Sequence, residues 1–148
     1  NPEGAEVVRG TASFSTPSAN VLNIRNSNGA IINWQRFDIA PGQTTNFIQP
    51  SADSSVLNRV VGNNPSRILG NLNSNGRVFL INQNGVLVGE GATIDTAGFF
   101  GSTLNLTDED FLNGNLRFEG GGAGDFVNRG YIRAAGGNIV LIAPNIEN

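Results

Sequence analysis

An all-β coil of stacked short strands is the fold class this sequence predicts, and three observations predict it. The first is the stretch Gly76–Leu106, where the apolar runs Val78–Ile81, Val86–Val88 and Phe99–Leu106 alternate with Asn82-Gln83-Asn84-Gly85 and Gly89-Glu90-Gly91. The runs are too short for helices and too rich in Val, Ile and Phe for loops. Asn opening and Gly closing a four-residue turn match the type I preference. The second is weak self-similarity. Ile94-Asp95-Thr96-Ala97-Gly98 returns thirty-eight positions later as Ile132-Arg133-Ala134-Ala135-Gly136, and Gly76–Asn82 has an echo in Gly137–Ala143. Offsets near multiples of roughly 20 residues are what strand-and-corner solenoids show. The third is where polarity sits: 22 Asn, many at expected corners, alongside a charged share of only 14%. An Asn amide bonds neighbouring backbone and tolerates turn geometry, so corners suit it.

The 148 residues amount to one domain with a sizeable core. A 39% hydrophobic share with a net charge of −3 argues against disorder. Nine Arg, no Lys and no cluster of them leave no basic stripe for nucleic acid. Absence of Cys removes disulfides and thiol chemistry, and absence of His removes the commonest general base and metal ligand. No catalytic residue, cofactor or metal is expected. No run of 18 apolar residues exists, so no membrane insertion is expected either. Lacking Met at position 1, the chain reads as an internal piece or a processed product whose leader was removed.

In chain order, Ala5–Val8, Thr11–Phe14 and Asn20–Ile24 read as short strands, the last ending in the turn Asn26-Ser27-Asn28-Gly29. Residues 1–29 are therefore expected to cap the coil, because an uncovered terminal strand offers unpaired N–H and C=O groups to other chains. Residues 30–148 are expected to be the coil with insertions. Ala30–Ile39 is dense in apolar residues, with Trp34 packed into the coil or against the cap. Pro41-Gly42 turns the chain before the strand Thr45–Ile48. Ser54–Val61 alternates imperfectly, with Val56, Val60 and Leu57 read as inward. Gly62-Asn63-Asn64-Pro65-Ser66 is a corner, since Pro65 restricts Asn64 and supplies no donor. Ile68-Leu69 returns to the core, and Asn73-Ser74-Asn75-Gly76 turns into the central stretch.

One helical signal follows. Thr107-Asp108-Glu109-Asp110 before Phe111-Leu112 is a capping-box-like start with carboxylates near the positive end of the helix, and Asn113-Gly114 ends it. The cap explains these three acids better than a metal does, since no ligand-rich loop accompanies them. Gly120-Gly121-Gly122 and Gly124 read as a flexible loop, with no helix and Lys after it to make a phosphate cradle. Phe126–Asn148 resumes the strand-and-corner rhythm.

Five segments in order, Ile32–Phe37 (INWQRF), Val56–Val60 (VLNRV), Asn64–Gly70 (NPSRILG), Gly76–Val86 (GRVFLINQNGV) and Ser102–Leu106 (STLNL), carry a resemblance covering nearly the whole chain. It resembles the N-terminal secretion domain of filamentous-haemagglutinin-like and high-molecular-weight adhesin-like exoproteins of the two-partner secretion pathway. The resemblance implies a right-handed parallel β-helix with an N-terminal β cap and extra-helical strands. As partner it implies an outer-membrane β-barrel transporter with periplasmic domains. It further implies passage through the periplasm of a Gram-negative cell, a secreted or cell-surface location, and a monomer. The family's NPNG-type motif maps onto Asn82, Gln83, Asn84 and Gly85, with Gln where Pro is usual. Asn64, Pro65 and Ser66 join them as candidate secretion-motif residues. A second family motif, NPNL, has no clear counterpart near Gln49–Ser55, which places the chain nearer the adhesin-like branch. Two readings of Asn82–Gly85 stand side by side, a corner that shapes the coil and a contact with the transporter.

Two rival functions fit the sequence less well. A β-helical polysaccharide-degrading enzyme needs paired carboxylates at defined separation, whereas the twelve acids are scattered apart from Asp108–Asp110. A module binding a host receptor or glycan would use exposed aromatics, and the chain has one Trp and one Tyr, Tyr131. A host receptor or glycan is accordingly expected to engage the parent protein.

Overall fold

Short apolar strands that turn at Asn and Gly can bury their inward side chains by lying on the next copy of themselves. The computed structural model, which describes residues 1–148, shows this arrangement. Two strands precede the coil, β1 (Glu6–Arg9) and β2 (Ala12–Ser18). The first circuit holds β3 (Val21–Asn26) and β4 (Ala30–Trp34), closed by a bridge from Ile39 to Ile68. The next is β5 (Thr44–Ile48), β6 (Ser55–Val60) and β7 (Ser66–Ile68), then β8 (Asn71–Ser74), β9 (Arg77–Asn82) and β10 (Val86–Val88). After β11 (Thr93–Thr96) and β12 (Gly98–Ser102) the chain leaves the coil through β13 (Leu104–Asn105), α1 (Asp108–Leu112) and β14 (Glu119–Gly121). It returns at β15 (Phe126–Asn128) and ends with β16 (Tyr131–Ala134), β17 (Ile139–Ile142) and β18 (Ile146–Glu147).

Equivalent strands stack in parallel into three faces: β4-β6-β9-β12-β17, β3-β5-β8-β11-β16 and β7-β10-β15-β18. This is a parallel β-helix. The sequence echoes are its register: Ile94 lies opposite Ile132, and Val78 stacks on Phe99, which stacks on Ile139. Two strands run the other way. β1 closes one face antiparallel to β4, and β2 closes another antiparallel to β3. β3 itself is stacked in parallel on β5, so parallel stacking begins at Val21, inside the segment expected to be cap.

The inward column is one core in which Leu22, Ile24, Ala30, Ile32, Val56, Val78, Ile94 and Phe99 are all fully or nearly fully buried. Trp34 lies in it, 1% exposed, edge-on to Phe14 and Phe37, with Nε1 donating to Asn58 Oδ1 at 2.9 Å. Asn58 is wholly buried and returns a bond from Nδ2 to the Phe79 carbonyl at 3.2 Å, so neither polar group is left unpaired. Gly101 is inward too, because any Cβ there would run into the rings of Phe126 and Phe99.

Leu57 departs from expectation. It points outward, into a second cluster with Ile31, Phe79, Ile81, Phe100, Leu106 and Phe111. Its register partners Ile31 and Phe79, and Phe100 beyond them, form an apolar outer column that the β13–α1–β14 excursion covers. Phe79 and Phe100 stack at 4.2 Å between centroids, and Phe111 from α1 meets Phe79 edge-on at 5.1 Å. Thr107 is the N-cap, its Oγ1 accepting from the Asp110 amide at 3.1 Å, as the sequence predicts. The glycine segment is only in part a loop: Glu119–Gly121 pairs antiparallel with β13.

Candidate functional site

The seven candidate residues fall on two stacked corners and meet. Asn82 ends β9 with no exposed surface, and its side chain makes four bonds. Nδ2 donates to the Asn64 carbonyl at 2.9 Å and to Ser66 Oγ at 3.0 Å. Oδ1 accepts from the backbone amide of Asn84 at 2.9 Å and from its Nδ2 at 3.0 Å. Asn84 Nδ2 also reaches down to the Gly62 carbonyl at 2.9 Å. The turn closes with the Gly85 amide donating to the Asn82 carbonyl at 3.1 Å, the geometry expected of Asn first and Gly fourth. Ser66, wholly buried, donates its amide to the Gly85 carbonyl at 3.0 Å. Gln83, Asn84, Asn64 and Pro65 are exposed at the surface of this knot.

Sequence reading missed the fourth wall of the site. The glycine segment crosses the corner so closely that a Cβ on Gly122 would overlap the Gln83 carbonyl, and one on Gly124 would overlap the backbone of Asn84 and Gly85. The Gly124 amide donates to the Gln83 carbonyl at 3.3 Å, and the Val86 amide to the Asp125 carbonyl at 3.0 Å. A run of glycines is as much a mark of close backbone approach as of flexibility, and that was the available signal. The corner at Gln49–Ser55 is held differently. Gln49 and Asn75 exchange two bonds of 2.8 Å, and Gln49 Nε2 donates to Ser74 Oγ and the Arg77 carbonyl. A corner therefore forms there without the second motif.

No three Asp or Glu side chains gather anywhere in a way that could hold a metal ion. What the geometry offers is backbone and amide hydrogen bonding: open strand edges, and corners whose donors and acceptors are used within the fold.

A capped parallel β-helix with a helical excursion over one face places the chain in the β-solenoid class. The chain belongs to the TPS secretion domain family, which matches residues 1–148. Among solved structures it is similar to the HMW1 secretion domain from Haemophilus influenzae, with a TM-score of 0.92 and 38% identity, covering 99% of this chain and 40% of that one. Two heme/hemopexin-binding proteins of Haemophilus influenzae are 41% and 38% identical over 71% of this chain. The chain spans only 12% and 11% of their lengths.

Proposed function

We propose that residues 1–148 act as one unit that brings a longer adhesin-like exoprotein to its outer-membrane β-barrel transporter, then starts that protein's β-helix outside the cell. The transporter's periplasmic domains engage the chain before it folds. The observation that carries this is the closed corner: the backbone and amide groups of Asn82–Gly85 and Asn64–Ser66 bond to one another and to the glycine segment. In the unfolded chain the same groups are free, and an extended strand can add to an open sheet edge. Asn82–Gly85 thus shapes the folded coil, and its bonded backbone and amide groups are open to a partner only earlier, whereas the exposed Gln83 side chain is open in both states.

Starting the β-helix falls to the other end. β16, β17 and β18 each pair on one side only, and Tyr131, Ile139 and Ile146 are exposed there, so a following coil would find backbone and apolar partners in register. The domain works as a monomer, reaching the surface or medium by way of the periplasm. Contact with a host receptor or glycan belongs to the rest of the parent. The test is to measure binding of the transporter's isolated periplasmic domains to this chain, folded and held unfolded by a core substitution. Binding of the unfolded form with little binding of the folded form is expected. Equal or tighter binding of the folded form would contradict engagement before folding.

A further inference from the structure

Four Asn-Gly pairs occur in the chain, at 28–29, 75–76, 84–85 and 113–114. Asn is among the chemically labile residues, and a following glycine leaves the backbone nitrogen unhindered. That nitrogen can attack the Asn side-chain carbonyl carbon, forming a C–N bond and expelling ammonia, which carries off the amide proton. Water then opens the cyclic imide to aspartate or isoaspartate and restores the N–H. No oxidant or cofactor is consumed. Both the side-chain carbon and the glycine nitrogen must be free to approach one another.

All four asparagines are exposed, so access to water does not distinguish them. Their bonding does. Asn28 Oδ1 accepts from the Ser55 amide at 3.0 Å, while the Gly29 amide donates to the Ser55 carbonyl at 2.9 Å. Asn75 is held by both Gln49 bonds of 2.8 Å, with the Gly76 amide on Ser74 Oγ at 3.0 Å. Asn84 donates to Gly62 and to Asn82, with the Gly85 amide on the Asn82 carbonyl. In each case both reacting groups are tied, and the Asn side chain is tied within or across the stacked coils. Asn113 caps the exposed end of a five-residue helix, and its side chain makes no hydrogen bond. The Gly114 amide makes a turn bond of 3.2 Å to Phe111, much as Gly85 does to Asn82, so the unbonded Asn113 side chain and the open space around Gly114 set this pair apart.

We infer that Asn113 is where the folded domain undergoes spontaneous deamidation, and that bonds made by folding protect Asn28, Asn75 and Asn84. The protection lapses in the unfolded chain. Conversion at Asn84 would then put a carboxylate, with no proton to donate, against the Gly62 carbonyl and Asn82 Oδ1. On the proposed export route, a chain delayed before folding would lose its ability to close this corner.

The experiment compares the folded chain with the chain in denaturing urea, both at mildly alkaline pH, scoring aspartate and isoaspartate at each site by peptide mapping. In the folded chain Asn113 should react about tenfold or more faster than each of the other three, since each of those must first release its bonds. In urea the four rates should converge, and Asn113→Gln should remove the fast folded-state signal. A comparable or faster rate at Asn28, Asn75 or Asn84 in the folded chain would overturn the inference. So would a preference for Asn113 that survives in urea, since local sequence would then set it. Neither arm involves the transporter, so failure here is separate from failure of the export reading.

Discussion

Arg59 Nη1 on β6 lies 2.7 Å from Asp108 Oδ1 in the first turn of α1. The same guanidinium donates to the Leu106 carbonyl at 2.6 Å and to Asn105 Oδ1 at 3.3 Å. One side chain of the coil thus fastens the start of the segment that covers Phe79 and Phe100, from Asn105 to Asp108. Arg59→Met keeps much of the stem and removes these bonds. It should destabilise the domain by about 1–3 kcal/mol, with the loss moderated because Asp108 is part-exposed and can regain water. Urea midpoints measure the loss, and limited proteolysis should cut first between Leu106 and Phe118. Unchanged stability and protection would remove Arg59 from this role.

Asn82→Ala deletes four hydrogen bonds at a wholly buried position and strands the Asn64 carbonyl. About 2–4 kcal/mol should be lost, because buried Ser66 loses its partner and the four bonds form one network. Ser66→Ala removes one acceptor only and should cost about 1 kcal/mol. Denaturant curves for both variants check the ordering.

Gln83→Pro should act in the opposite direction. Gln83 is the second residue of the turn, its amide donates to no carbonyl, and Asn82 before it is at the end of an extended strand. Proline is compatible with each of these conditions and restricts the unfolded chain, so a gain of about 0.4–1 kcal/mol is expected. A loss on thermal melting would show that the glycine segment beside the turn has no room for the ring.

Thr45 sits inward between Leu22 and Leu72, fully buried, and its hydroxyl has no partner. Thr45→Val replaces that hydroxyl with a methyl of similar size. A stabilisation of about 1 kcal/mol should follow, seen as a higher urea midpoint with an unchanged slope.

Much of this was legible in the chain because a coil repeats itself in sequence. Ile94 and Ile132 look alike because they occupy the same place in successive circuits, and Asn82 with Gly85 marks a turn by local chemistry alone. Leu57 misled for a physical reason. Its face is covered by the excursion, so outward Ile31, Leu57, Phe79 and Phe100 are as apolar as inward residues and the period of two is lost. The Arg59 clamp was illegible, and the glycine run signalled a close approach without naming its partner, since each contact joins positions about 40–50 residues apart with no repeat to align them. The start of parallel stacking at Val21 was hidden similarly: β2 and β3 both read as strands, and only the partner strand distinguishes cap from coil.

The export role is tested most directly by removing residues 1–148 from the parent exoprotein, leaving the rest of that protein intact, and assaying cell-free medium and cell surface in the presence of the transporter. The parent should then be held in the periplasm and degraded, and restoring the domain should restore its export. Export of the shortened protein at the normal level would show that the domain does not direct the chain to its transporter.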